Sequence, residues 1–305
     1  ISYANQLCNQ YGVDTIAAGA TMAFAINCYE EGVITAADTG GIELGWGKAD
    51  AMIAMLEATL NRTGLGDVLA EGSARAGAEL GNGAEDLVVA VKGTEFPAHM
   101  PQVKPSLAVI YAVNPFGADH QSSEHDGNYT PKVIESSPEK YGKRAADLNL
   151  NTPQPAEALN REKVEYALVT QYAYSALDTA DVCQFVFGPS RQLLGMSELA
   201  DLNTAVTGVE TTVDDLVTFG ARRLNMLRAF NAREGITREQ DTLPPRLFEP
   251  LVDGPSDGMA VDRVQFESAL EMYYDMAGWD PVTGNPTPET LDGLGLGWLH
   301  EDVDS

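Results

Sequence analysis

Cysteine is scarce in this chain: three in 305 residues, Cys8, Cys28 and Cys183, none of them part of a CxxC pair. That spacing excludes a disulfide framework and a self-contained zinc site, and it suits a reducing compartment. Positive charge is scarce as well, with 19 Lys and Arg against 45 Asp and Glu and a formal net charge of −26. Such a balance disfavours attraction to nucleic acid or anionic lipid, so DNA is excluded as a main partner. There are only four histidines and no HExxH pattern. No apolar run approaches the roughly 20 residues needed to cross a bilayer, so a soluble chain with no membrane partner is expected. There is no internal repeat, no initiator methionine and no cleavable signal pattern. The chain opens at Ile1 inside a helical pattern, which we read as that of a fragment.

What is present is globular. A hydrophobic content of 44% over 305 residues allows one large core or two ordinary domains. Gly12 is placed to end an opening helix in the left-handed conformation, and Asp14 or Thr15 can cap the next, which carries Ile16, Met22, Phe24 and Ile26. Asp14 is equally readable as part of a polar loop that holds a heterocyclic ligand. After Gly32 a helix over Met52, Ile53, Leu56 and Leu60 is expected, and then one continuous helix from Gly64 to Gly81. Leu87 to Val91 reads as an extended piece. Pro97, Pro101 and Pro105 read as an extended connector, and a domain boundary is placed near Pro97, dividing residues 1–97 from 98–305.

In the second part, residues 130–161 carry four prolines and read as a surface excursion with little repetitive structure. Thr212 and Asp215 can cap a long helix through Phe230, along which Arg222, Arg223, Arg228 and Arg233 are expected to form ion pairs. A further amphipathic helix carries Phe266, Leu270, Tyr273 and Tyr274 and stops at Gly278. Pro288 then stands at a first helical position. Nearly every element is helical, so the fold class is all-α.

Two stretches gather chemistry. In Ser175-Ala-Leu-Asp178-Thr-Ala-Asp181-Val-Cys183, a helix is expected to run out into a turn bearing carboxylates and a thiol, between two buried segments. Cys183 is there either an inert packed thiol or a metal or cluster ligand. In Gly117-Ala-Asp119-His120-Gln-Ser-Ser-Glu124-His125-Asp126, two histidines lie among three carboxylates. Their spacing of five puts them on different faces of a helix, which argues against a two-histidine helical metal site. The stretch is either a capped loop of solvated charges or the edge of a cofactor pocket with a proton-exchanging histidine.

The ordered blocks of the tail resemble a known family: Arg228-Ala-Phe230-Asn231-Ala-Arg233-Glu234-Gly235, Asp241-Thr242-Leu243-Pro244-Pro245-Arg246, Tyr273-Tyr274 through Gly278-Trp279-Asp280, and Gly284-Asn285-Pro286. Together with Leu7-Cys8-Asn9, Gly12-Val13-Asp14-Thr15, Gly66-Asp67 through Gly72 and Val91-Lys92-Gly93-Thr94-Glu95, they resemble the tungsten-containing aldehyde ferredoxin oxidoreductases. The resemblance covers essentially all 305 residues and only the helical C-terminal part of such an enzyme. It implies a multihelical fold of two packed helical domains, with residues 1–97 the remainder of the first and 98–305 the second.

The resemblance also implies a tungsten or molybdenum atom held by two pterins, a [4Fe-4S] cluster and oxidation of aldehydes to carboxylic acids. Electrons would pass to ferredoxin, the enzyme would be cytoplasmic, and a homodimer is compatible with it. Residue by residue, it implies pterin contacts at Asn9, Gly12 and Asp14 and at Asp178. Asn9 stands where the family pattern has aspartate, so this position can donate as well as accept. Cys183 matches the isolated fourth cluster ligand, and His120 falls where the family places a histidine near the metal, with His125 its rival. The other three cluster cysteines lie upstream in the family, and neither Cys8 nor Cys28 matches them. This chain alone is therefore expected not to assemble the redox site and to be inactive by itself. Two alternatives are a related metal-pterin subunit acting on another substrate, such as an aromatic acyl-CoA, and a non-catalytic helical binding module.

Overall fold

A computed structural model of the chain describes residues 1–303, and helix dominates it as expected: among the described residues there are fourteen α-helices and one two-stranded hairpin. The chain divides into two compact units, one made of residues 1–99, 116–119 and 243–246, the other of 100–115, 120–242 and 247–305.

In the first unit, α1 (Ser2–Tyr11) stops where Gly12 turns left-handed, at φ 70° and ψ 36°. Asp14 then caps α2 (Thr15–Glu30) by accepting from the Ala17 amide at 2.7 Å. α3 (Ala49–Leu60) follows as the periodicity indicated. The single helix expected from Gly64 to Gly81 is instead two, α4 (Leu65–Leu69) and α5 (Ser73–Leu80). Gly72 separates them with φ +87°, a conformation that no helix interior accommodates. The chain then forms β1 (Ala90–Val91) and β2 (Thr94–Glu95), antiparallel with Ala90 opposite Glu95. Both turn residues, Lys92 and Gly93, have positive φ, as a tight two-residue hairpin requires.

That hairpin delivers a carboxylate into the unit. Glu95 is buried, and its Oε1 accepts from the Ser73 amide (2.7 Å), the Ser73 hydroxyl (3.0 Å) and the Thr21 hydroxyl (3.2 Å). One residue thereby ties β2 to α2 and α5. The apolar core of this unit includes Met22, Phe24, Met55, Leu56 and Leu69, and it also contains Cys8 and Cys28.

The second unit contains α6 (Pro105–Val113), α7 (Pro131–Ser136), α8 (Lys143–Asp147), α9 (Arg161–Thr179), α10 (Met196–Thr207), α11 (Val213–Arg233), α12 (Arg263–Ala277), α13 (Pro288–Gly293) and α14 (His300–Val303). Helix α6 corrects the reading of Pro97 to Pro105 as one extended connector, because Pro105 occupies its first turn. All of Ser106 to Val113 is buried, so the helix is apolar on every side and leaves no amphipathic period to detect. The surface excursion expected over residues 130–161 is corrected too. It holds α7, α8 and a single π-helical turn between them, and Arg144, Ala145, Leu148 and Leu150 are buried.

Helices α9 and α11 form the axis of the unit, and Gly220 lets them touch. A Cβ at that position would overlap the Tyr172 carbonyl. Around this axis the tail motif forms a buried polar knot. Arg228 is fully buried and grips Asp241 with both guanidinium nitrogens at 2.8 Å, while the Tyr274 hydroxyl donates to the same carboxylate at 2.7 Å. The Arg228 guanidinium lies 5.0 Å from the centre of the Trp279 ring, whose Nε1–H donates to Asn225 at 2.8 Å. Asn231 donates to the Pro115 carbonyl at 2.6 Å. The most recognisable block of the sequence is thus a structural clamp on α11, the 241 loop and α12.

Candidate functional site

Helix α9 ends at Thr179, and Asp181 adopts φ +54°, a left-handed turn that aspartate tolerates better than most residues. The chain emerges with Cys183 exposed and its thiol free. The carbonyl of Cys183 accepts from the Val186 and Phe187 amides, both at 3.0 Å, so the backbone under the thiol is fixed. The expectation of a buried apolar run after Cys183 is corrected, because Phe185 is 81% exposed.

The loop is held by Arg144, a residue for which the sequence pattern offers no signal. This buried guanidinium donates to the carbonyls of Ser190 (2.5 Å), Gln192 (2.8 Å) and Leu193 (3.1 Å). Asp178, on the last turn of α9, pairs with Arg223 at 3.1 Å and accepts from Gln184 at 2.9 Å. Three of the four arginines expected to find acids, Arg223, Arg228 and Arg233, thus do so across elements. Arg233 pairs with Glu234 and Asp302, and Arg222 donates to the Leu294 carbonyl instead.

The histidine stretch is a loop, with only a short 3-10 turn at Asp126–Asn128. Its floor is a buried network. Asp126 accepts from the Ser106 amide (3.1 Å) and hydroxyl (2.7 Å), and its carboxylate lies 3.4 Å from the ammonium of Lys163, which is also fully buried. Burial raises the pKa of Asp126 and lowers that of Lys163, each opposed by the partner's charge. Above this pair, His125 is engaged at both ring nitrogens: Nδ1 lies 2.9 Å from the Lys104 ammonium and Nε2 3.1 Å from the His120 carbonyl. The two histidine rings meet edge to face with centroids 6.0 Å apart. Glu124 joins the two chemical loops, since its carboxylate accepts from the His125 amide (3.2 Å), from Asn128 (2.9 Å) and from Gln192 of the Cys183 loop (3.4 Å).

Asn9 is exposed near the end of α1, and Gly12 and Asp14 lie on the exposed turn between α1 and α2 in the first unit. Asp14 makes its cap with one carboxylate oxygen, and the Asn9 amide donates to the Asn5 carbonyl at 2.9 Å. The remaining cysteines contrast with Cys183. Cys8 and Cys28 are buried in the core, and burial pushes the Cys28 thiol up to about 11. Among the described residues no group of three or more His, Cys, Asp and Glu side chains is arranged to hold a metal ion.

The structure is that of a multihelical chain that presents one exposed thiol on a loop braced by Arg144. The family model described as "Aldehyde ferredoxin oxidoreductase, domains 2 & 3" matches residues 1–296, and the chain belongs to that family. It is 31% identical over 297 residues to the tungsten-containing aldehyde ferredoxin oxidoreductase of Pyrococcus furiosus, covering 96% of this chain and 44% of that protein. To the enzyme of the same name from Pyrococcus horikoshii it is 32% identical over 299 residues, covering 96% and 45%. The "Aliphatic sulfonate oxidoreductase, WOR-like subunit" of P. furiosus is 28% identical over 315 residues, covering 99% and 43%. The fold is shared with the BamBC active-site complex of benzoyl-coenzyme A reductase, at TM-score 0.77 and 22% identity, over 97% of this chain and 46% of that one. The chain thus spans less than half the length of the relatives it matches.

Proposed function

We propose that this chain forms part of a tungsten- or molybdenum-pterin oxidoreductase that converts aldehydes to carboxylic acids and passes electrons through a [4Fe-4S] cluster to ferredoxin. The family match over residues 1–296 carries this reading. Aldehydes are preferred to an aromatic acyl-CoA because the relatives above 30% identity are aldehyde oxidoreductases, whereas the likeness to benzoyl-coenzyme A reductase is one of fold. Three free thiols suit a reducing cell interior, so we place the enzyme in the cytoplasm.

The residues present fit their share of the cofactors. Cys183 is accessible and its backbone is fixed, as a cluster ligand needs, while the buried Cys8 and Cys28 are unsuited to act as thiolates. Asp14 and Asp178 offer solvent-facing carboxylates as acceptors for pterin N–H groups, with Asn9 and the Gly12 turn beside Asp14. The metal-pterin, when bound, supplies the two-electron chemistry. An aldehyde and water become a carboxylic acid, two protons and two electrons. The part of this chain is to orient the cofactor through Asp14 and Asp178, to ligate through Cys183, and to accept a proton at the imidazole of His120.

The full-length protein decides between substrates when it is assayed with aldehydes and with an aromatic acyl-CoA, using ferredoxin as the redox partner. Aldehyde-dependent reduction of ferredoxin is expected. Turnover of the acyl-CoA alone would move the assignment to the related complex, and a metal-loaded protein inert to both would point to a binding module.

A further inference from the structure

Of the two histidines in the 120s loop, the geometry points to distinct duties: we infer that His125, held by Lys104, is a positioning residue that fixes the backbone and ring edge of His120. This inference rests on the reading of His120 as the proton-transfer group and deepens it. A carbonyl oxygen only accepts, so the His125 ring facing the His120 carbonyl carries its proton on Nε2. Nδ1 is then the acceptor for the Lys104 ammonium at 2.9 Å. A hydrogen bond from residue 125 to the carbonyl of residue 120 closes the loop on itself, and the edge-to-face ring contact completes the brace.

The brace stands on rigid ground. Lys104 immediately precedes α6, whose residues from Ser106 on are buried. On the other side the Tyr166 hydroxyl, from α9, donates to the His125 carbonyl at 3.0 Å. Asp126, the next residue, is locked to Ser106 and Lys163. Glu124, the residue before, accepts from the His125 amide. Burial lowers the Lys104 pKa from the usual ammonium range, with Asp126 opposing, so its bond to His125 is made in partly dry surroundings, where such a bond is stronger. The ring of His125 is thus committed at both nitrogens to holding the loop that carries His120.

The test uses the full-length, metal-loaded enzyme with an aldehyde substrate and compares Lys104→Met, His125→Phe and His120→Ala. Misplacement of a reacting group by about 1 Å costs on the order of 100-fold. Lys104→Met and His125→Phe are therefore expected to lower kcat roughly 10- to 100-fold with KM within about 2-fold, at unchanged metal content and melting temperature. If His125→Phe does not fold, Lys104→Met decides alone, since it keeps the length of a half-buried side chain. Wild-type kcat in Lys104→Met beside an inactive His120→Ala overturns the brace and leaves the reading of His120 standing. A loss of kcat that follows lost metal or a lowered melting temperature also overturns it. Full turnover by His120→Ala overturns the underlying reading itself.

Discussion

The three cysteines carry one element and three environments. Cys183 lies exposed at the end of α9, Cys8 is nearly buried and Cys28 is wholly so. Thiolate, not thiol, is the nucleophile, and burial holds Cys28 protonated up to about pH 11. Treating this folded chain at pH 8 with an excess of iodoacetamide should therefore modify one thiol, found by peptide mapping at Cys183, with the other two reacting only after denaturation. Rapid labelling of Cys28 in the folded chain would contradict the core described here. From sequence, Cys183 was readable either as packing or as a ligand, because spacing does not report exposure. Arg144 was not legible at all: its partners are three carbonyls more than 40 positions away, and backbone acceptors leave no trace in side-chain identity.

At the scale of elements, local chemistry carried furthest where it acts locally. The Gly12 stop, the Asp14 cap and the Thr212–Asp215 capping box were legible because each needs only residues within one turn. Helix α6 was not, since an all-round apolar run has no period and three nearby prolines suggested a connector. The break between α4 and α5 was equally hidden, because it depends on the φ of Gly72 beside Glu95 from the hairpin. The tail motif signalled the family, and the structure shows its duty to be mechanical. Arg228 and Asp241 are both fully buried, so removing one leaves the other charged or unpaired in the interior. Arg228→Ala should cost about 3–5 kcal/mol, read as a lowered urea midpoint with an unchanged slope. A loss below about 1 kcal/mol would show that the clamp contributes little to stability.

At the scale of the whole molecule, fold class was the easiest inference and the site the hardest. The all-α class follows from the caps, glycine stops and periodicity of the longer helices, although α6, α7 and α8 gave no such signal, and the family match over residues 1–296 accords with the resemblance carried by the motif blocks. The chain represents less than half the length of the relatives compared with it. Composition could not expose the brace on His120 either, because Lys104, His125 and Tyr166 meet only once α6 and α9 are in place.

The most direct test of the central claim is the iron content and the low-temperature electron paramagnetic resonance spectra of the full-length enzyme, oxidised and reduced, wild type against Cys183→Ala. A cluster ligated by Cys183 loses iron or converts to a three-iron signal in the variant, while the fold is retained. Full iron content with an unaltered [4Fe-4S] spectrum would show that the thiol at position 183 is no part of the cluster, and the redox reading of this loop would be wrong.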